Sequence, residues 1–471
     1  MALLRSSRFR DASVLLVVSW LLVSIAEATI IEGVQMGALD QPRVNVVLRR
    51  TATGDPLLVG TDFVHFDAFY DTGASGIMLS KNTANSLGVQ RATYNGSLVE
   101  YSDVGVGGSE FFDVSEPLYI GLAATNAANL DNQTTQLSVY NQVYGPVRTQ
   151  ISRVTTSTPE LEDVDVVGMP AMAGKVVVMD PRPLEDFWNL DLMHTYVYDP
   201  GTPFTPGNTA SPGIPTTNRH VRLSYGAFDR FTTVEPEGAN GPSLAHNPFI
   251  GPNPVAQLEA NPPADNTPGI TVTLGNASAT GSFLLDTGAA ASMISQTLAS
   301  QLHVRYVPGS EPGGDATPVL EVFDPENPSL PGTLLSEQFQ ADIGGIGGTT
   351  TVAGFFLSSL SVPTIEGDPL DFVNAPILVS DITVMDPLTF ETLTLDGIFG
   401  MNFMVASMDL TTWDIRAGAF NWIVFDEPNG VLGLDLKGVA PIPEPATFLL
   451  LILAGLTVAV SRAAFGRGRK G

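Results

Sequence analysis

Phe69 to Ser80 reads FYDTGASGIMLS, an Asp-Thr-Gly turn set between an aromatic pair and the apolar run Ile77-Met78-Leu79. Solvated turns carry polar flanks. This one is either an ordinary buried turn or an aspartate held inside a packed site. A second copy decides between them. Phe283 to Ser295 reads FLLDTGAAASMIS. Each copy runs into a short helical pattern, KNTANSLGV (81–89) and QTLASQLHV (296–304). Downstream, DVDVVGMPAM (163–172) is echoed by LDGIFGMNFM (395–404), two apolar residues and then Gly-Met. Between them, DVGVGGSEFF (103–112) has a looser counterpart in DIGGIGGTTTVAGFF (342–356).

One Asp-Thr-Gly is weak evidence. Two in apolar flanks, each followed at comparable distance by apolar-apolar-Gly, mark a duplicated unit too long for a solenoid repeat. Strand patterns lead into both motifs. Ile270, Val272 and Leu274 alternate, turn residues follow, and Phe283-Leu284-Leu285 runs up to Asp286. The stretch before Asp71 does the same. NWIVFDEPNGVLGLDL (421–436) reads as a late hairpin turning at Glu427–Gly430. Between the repeats, 183–264 is rich in Pro, Gly, Asn and Thr, the composition of an irregular connector. Within it, HVRLSYGAF (220–228) is a candidate strand of a sheet shared by both halves.

Composition agrees with a β-rich chain. The 471 residues include 46 Gly and 35 Pro, and 44% are hydrophobic, enough for a large core. Formal charge is −27, with basic residues gathered at the two ends, so the body is more acidic still. Such a surface repels nucleic acid and anionic membrane. No Cys is present, which excludes disulfides and thiol chemistry. The five His (65, 194, 220, 246, 303) show no metal-ligand spacing, and no phosphate-binding or GxSxG motif occurs. No metal or cofactor is expected.

Both ends read as addresses. Arg5, Arg8 and Arg10, the apolar SVLLVVSWLLVSIA and Ala26-Glu27-Ala28 form a signal peptide, with cleavage expected after Ala28; an uncleaved anchor is the alternative. At the other end, Pro443-Glu444-Pro445 precedes an apolar run, Ala446–Val460, and a basic cluster of Arg462, Arg467, Arg469 and Lys470. This layout resembles the PEP-CTERM sorting signal, which implies exosortase-type processing and delivery to a bacterial cell surface or extracellular matrix. A plain C-terminal membrane anchor is the alternative. The expected division is signal peptide 1–28, first lobe 29–182, connector 183–264, second lobe 265–440 and sorting segment 441–471.

The paired motifs resemble aspartic proteases with the bilobal layout of pepsins, over about 40–438. The resemblance implies an all-β fold of two similar lobes, with the active site in the cleft between them. It makes Asp71 and Asp286 the catalytic pair. Val166-Val167-Gly168 and Ile398-Phe399-Gly400 should pass behind the two loops. Thr72 and Thr287 should clasp one another across the interface, and a hairpin over 100–112 should cover substrate, with Tyr101 its candidate aromatic. The plain alternative for that segment is a bulged hairpin around Gly105, Gly107 and Gly108.

The chemistry stands apart from the name. Two carboxylates a few ångströms apart cannot both ionise cheaply, so they share a proton. One can take a proton from water while the other donates to a peptide carbonyl. Gly73 and Gly288 allow the unusual backbone and close approach the loops need. Pepsins commonly carry Ser after Asp-Thr-Gly, as support for a carboxylate. Here Ala74 and Ala289 stand there, as in retroviral-type enzymes, which predicts a less acidic pair and a weakly acid optimum. The expectation is an exported aspartic endopeptidase acting on peptide or protein substrates. The duplicated chain supplies both halves, so a monomer is expected. The competing expectation is a catalytically silent surface or matrix binding protein of the same fold.

Overall fold

The computed structural model describes residues 28–32, 36–60, 62–63, 65–105, 108–123, 137–153, 164–185, 192–226, 247–254, 265–385, 392–408 and 415–438. The expected signal peptide up to residue 27, the sorting segment, Gly107 and much of the connector lie outside them. The fold is all-β. Described helices are short, such as Lys81–Ser86 and Gln296–Gln301. Among the described residues no helix is long and apolar enough to cross a membrane.

Three sheets carry the structure. The first is nine-stranded and holds Phe66–Tyr70, Ile77–Leu79 and Val166–Val167 side by side, with the hairpin Glu100–Gly105/Gly108–Val114 at one end. The second is eleven-stranded and repeats that centre with Phe283–Leu285, Met293–Ile294 and Gly397–Phe399. The third is five-stranded and takes strands from both repeats. His194–Tyr198 and Val176–Asp180 lie beside Phe420–Asp426 and Val431–Leu436, and Arg219–Arg222 closes one edge. The late hairpin turns at Glu427–Asn429 and Gly430, whose φ of 62° suits glycine.

The centres of the two large sheets follow one rule. Phe66–Tyr70 pairs in parallel with Val166–Val167, which pairs antiparallel with Ile77–Leu79, which in turn pairs in parallel with Gln150–Ile151. In the second sheet Phe283–Leu285, Gly397–Phe399, Met293–Ile294 and Leu370–Val379 follow the same sequence of directions. Strands covered on both sides need continuous apolar runs, and Val166-Val167 and Ile398-Phe399 supply them. One continuous core joins the repeats, including Leu79, Val167, Met172, Leu285, Phe399 and Phe425.

Three segments cross the boundaries drawn on the sequence. Thr29–Glu32 joins the second sheet, pairing in parallel with Leu370–Val373. Gly37–Ala38 pairs with Ser407–Met408. Asn247–Ile250, from the connector, lies against Phe283–Leu284.

Candidate active site

The first Asp-Thr-Gly loop is shaped by the strands on either side of it. Tyr70 is paired with Val167, and the Asp71 amide donates to the Val167 carbonyl at 3.0 Å. The chain then turns back along Ile77–Leu79, beside the same Val166-Val167 pair. Asp286 repeats the arrangement, its amide donating to Phe399 O at 3.1 Å. Behind each loop sits the glycine of the apolar-apolar-Gly segment. A Cβ on Gly168 would fall 2.2 Å from Gly76 O and 2.4 Å from Ala74 O; one on Gly400 would fall 2.8 Å from Ala289 O and Ala291 O. Only glycine lets the backbones approach this closely. The next amide is then free to bind the loop, Met169 N to Ala74 O at 3.0 Å and Met401 N to Ala289 O at 2.9 Å. Each loop leads into a helix capped by its serine, Ser80 accepting from Thr83 N and Ser295 from Leu298 N.

Thr72 and Thr287 join the two loops. Thr72 Oγ1 donates to Leu285 O at 2.6 Å and accepts from Thr287 N at 3.0 Å. Thr287 Oγ1 donates to Tyr70 O at 2.6 Å and accepts from Thr72 N at 3.0 Å. Both side chains are buried, so these bonds are shielded from water.

The clasp brings Asp71 and Asp286 together. Each carboxyl lies over the other loop's glycine: a Cβ on Gly73 would sit 2.6 Å from Asp286 Cγ, and one on Gly288 would sit 2.4 Å from Asp71 Cγ. Asp71 Oδ1 accepts from Gly73 N at 2.7 Å and Ala74 N at 3.2 Å. Asp286 Oδ1 accepts from Gly288 N at 2.9 Å. At this separation the ionisation of one carboxyl bears on the other, so they titrate as a pair.

Both groups keep some exposure to solvent, yet protein surrounds them closely enough for burial to dominate their titration. Burial raises the Asp286 pKa well above the carboxylate range, and the charge of Asp71 raises it further. Burial raises Asp71 as well, but hydrogen bonds from Asp286 and from the amides of Gly73, Ala74 and Gly288 oppose it. Both carboxyls are thus pushed towards the protonated form, and the pair shares a proton into weakly acid pH.

Two hairpins lie beside the loops. In the first, Glu100–Gly105 pairs with Gly108–Val114, ending at the pair Gly105–Gly108. In the second, Phe339–Gly345 pairs with Gly348–Gly354, ending at Gly345–Gly348. Their tips touch. A Cβ on Gly105 would meet Ile346 Cβ at 2.7 Å and the Ile346 backbone at 3.1 Å. Tyr101 sits away from the tip, buried in a small cluster with Ala92, Val99 and Val114. Arg153 and Arg91 brace this hairpin's base through Asp113, and Arg153 also reaches Glu100.

Some contributors carried little or no sequence signal. Asn247 is fully buried, and its Nδ2 donates to Thr72 O and Gly73 O while Ser75 Oγ donates to its Oδ1. Gln41 donates to Gly288 O. Neither stands near an Asp-Thr-Gly in the chain. The second hairpin did have a signal, the echo of 103–112 in 342–356. Among the described residues no group of three or more His, Cys, Asp or Glu could hold a metal ion. No protein-family model matches this sequence, and a search of curated proteins gives no significant match.

Proposed function

We propose that the chain is an aspartic endopeptidase in which Asp71 and Asp286 activate a water molecule between two lobes. The observation that carries this reading is the carboxyl pair itself: two aspartates, each lying against the other loop's glycine, on mirrored loops locked by the Thr72–Thr287 clasp. A structural role alone gives no reason to bury two like-charged groups face to face at a cost in stability.

Ionised Asp71 accepts a proton from water, and the water oxygen attacks the carbonyl carbon of a peptide bond. Protonated Asp286 gives its proton to the carbonyl oxygen. The tetrahedral diol collapses as Asp71 passes its new proton to the leaving nitrogen, the C–N bond breaks, and a diol hydroxyl returns a proton to Asp286 as it becomes the product carboxyl. Thr72 and Thr287 are positioning residues. Gly73 and Gly288 let the carboxyls approach. The paired hairpins cover an extended peptide and exclude bulk water.

The two end segments extend this to an exported protein, sorted by an exosortase-type system to a bacterial surface or matrix and acting there as a monomer. The test offers the full chain a mixed peptide library from about pH 3 to 7, beside Asp71→Asn and Asp286→Asn. Cleavage by wild type, lost in both variants, is the expected result. A folded wild type that binds peptides and cuts none makes it a binding protein of the same architecture instead.

A further inference from the structure

We propose that Asn247 is a positioning residue for the hydrolysis: it holds the two peptide groups whose amides support the Asp71 carboxylate, and so makes Asp71, not Asp286, the base of the pair. This rests on the endopeptidase reading above.

Asn247 enters from the connector, at a place that strand register defines. Phe249 pairs with Leu284, two residues before Asp286, and Asn247 stands two residues before Phe249. In the first half Arg43 pairs with Phe69, two residues before Asp71, and Gln41 stands two residues before Arg43. The two carboxamides are therefore equivalent, and both cross over. Gln41 adjoins the strand that leads to Asp71, yet it donates to Gly288 O in the other loop. Asn247 adjoins the strand that leads to Asp286, yet it donates to Thr72 O at 3.0 Å and Gly73 O at 2.9 Å. Together they form an outer pair of supports around the threonine clasp.

The equivalence ends at the number of carbonyls held. Asn247 Nδ2 carries two hydrogens and meets two carbonyls, which can only accept, so the orientation of the amide is fixed. Its Oδ1 accepts from Ser75 Oγ at 2.7 Å, and the side chain is fully buried. A peptide group is planar and trans, so its C=O and N–H point in opposite directions. Holding Thr72 O therefore aims the Gly73 amide, and holding Gly73 O aims the Ala74 amide. Both amides converge on Asp71 Oδ1, at 2.7 and 3.2 Å. Gln41 holds one carbonyl, Gly288 O. In that loop the Asp286 carboxyl accepts from Gly288 N at 2.9 Å, while Ala289 N turns to the main-chain carbonyl of Asp286 at 3.3 Å.

This difference bears on which carboxyl ionises first. An amide that donates to a carboxylate favours its charged form. A donor at the far end of the same peptide polarises it and strengthens the bond. Asp71 receives two such relays, both starting at Asn247. The titratable group facing each carboxyl is the other, so their repulsion does not choose between them. Ala74 offers no hydroxyl to Asp71, and the support arrives instead through the backbone from a distant segment.

The test follows the two carboxyls directly. The full-length chain, labelled with carbon-13 at its Asp carboxyls, is titrated by NMR, and the two signals are identified by their loss in Asp71→Asn and Asp286→Asn. In wild type the lower of the pair's two steps should appear chiefly in the Asp71 signal. Asn247→Leu keeps the shape and removes both donors, so that step should rise by about one pH unit and divide between the signals. Ser75→Ala removes only the hydroxyl that fixes the carboxamide. It should raise the step by about half as much, and it decides the matter if the leucine variant does not fold. With a peptide that wild type cuts, the acid limb of kcat/KM should move with the step. Below that limb kcat of Asn247→Leu should fall about tenfold, while KM stays within about threefold. A lower step seated in Asp286, or one unmoved in every folded variant, overturns the inference; if wild type still cuts peptides, the endopeptidase reading stands. A step that moves as stated in a chain that cuts nothing keeps the support of Asp71 and overturns the endopeptidase reading, and neither shift nor cutting overturns both.

Discussion

Thr72→Val tests the clasp directly. Valine keeps the shape of threonine and replaces the hydroxyl with a methyl group. The change removes the bond from Thr72 Oγ1 to Leu285 O and the bond from Thr287 N to Thr72 Oγ1. It therefore takes the partner from one buried carbonyl and one buried amide. At about 1–3 kcal/mol for each such group, the loss is roughly 2–6 kcal/mol. Thr287→Val removes the partners of Tyr70 O and Thr72 N, with the same two bond lengths. Its cost should match within about 1 kcal/mol. Thr72→Ser keeps the hydroxyl and loses one methyl, so it should cost about 1 kcal/mol or less.

Urea denaturation followed by intrinsic fluorescence and far-UV circular dichroism gives these differences as midpoint shifts at a common slope. Two results would rule out the clasp as described. A loss below about 0.5 kcal/mol for Thr72→Val would mean the hydroxyl is not the partner of those buried groups. Losses differing by more than about 2 kcal/mol between the two valine variants would mean the clasp is not mirrored.

Three further outcomes follow from the same geometry. Because burial and the Asp71 charge raise the Asp286 pKa above its unfolded value, Asp286 favours folding below about pH 4. That contribution is lost as pH rises through the folded value, so Asp286→Asn should gain stability over wild type between about pH 4 and 7. Urea midpoints at several pH values check it, and a constant difference across that range contradicts it. The raised pair also predicts maximal peptide cleavage at weakly acid pH; a pH–rate maximum below about 3 sinks that expectation. Gly168→Ala should be the more damaging of the two rear-glycine changes, since its Cβ would lie 2.2 Å from a backbone oxygen against 2.8 Å for Gly400→Ala; thermal denaturation ranks them.

The centre of each sheet was legible in the sequence because its determinants are local or rigidly spaced. Asp71 and Asp286 sit where apolar strands end, and the glycine behind each loop is forced by backbone oxygens less than 3 Å from where its side chain would be. The all-β class was legible too, from short alternating runs and many turn residues. What could not be read depends on pairing between distant segments. Nothing in Thr29–Glu32 says that it will lie along Leu370–Val373. Asn247 is an ordinary residue in a Pro-rich connector until folding places it under the Thr72 and Gly73 carbonyls.

Hairpin register lies between these cases, and it shows where a duplicated chain gains by breaking its symmetry. The clasp keeps matched distances in both halves because it must satisfy four buried backbone groups, two on each side. The hairpins carry no such obligation. Their tips need only meet, as Gly105 and Ile346 do, and one added glycine shifts which residue looks inward. Two identical chains placed symmetrically would present the same residue from both sides. A single chain with two copies of the motif can hold its carboxyl pair nearly symmetric while the hairpins beside it differ in which residue faces inward.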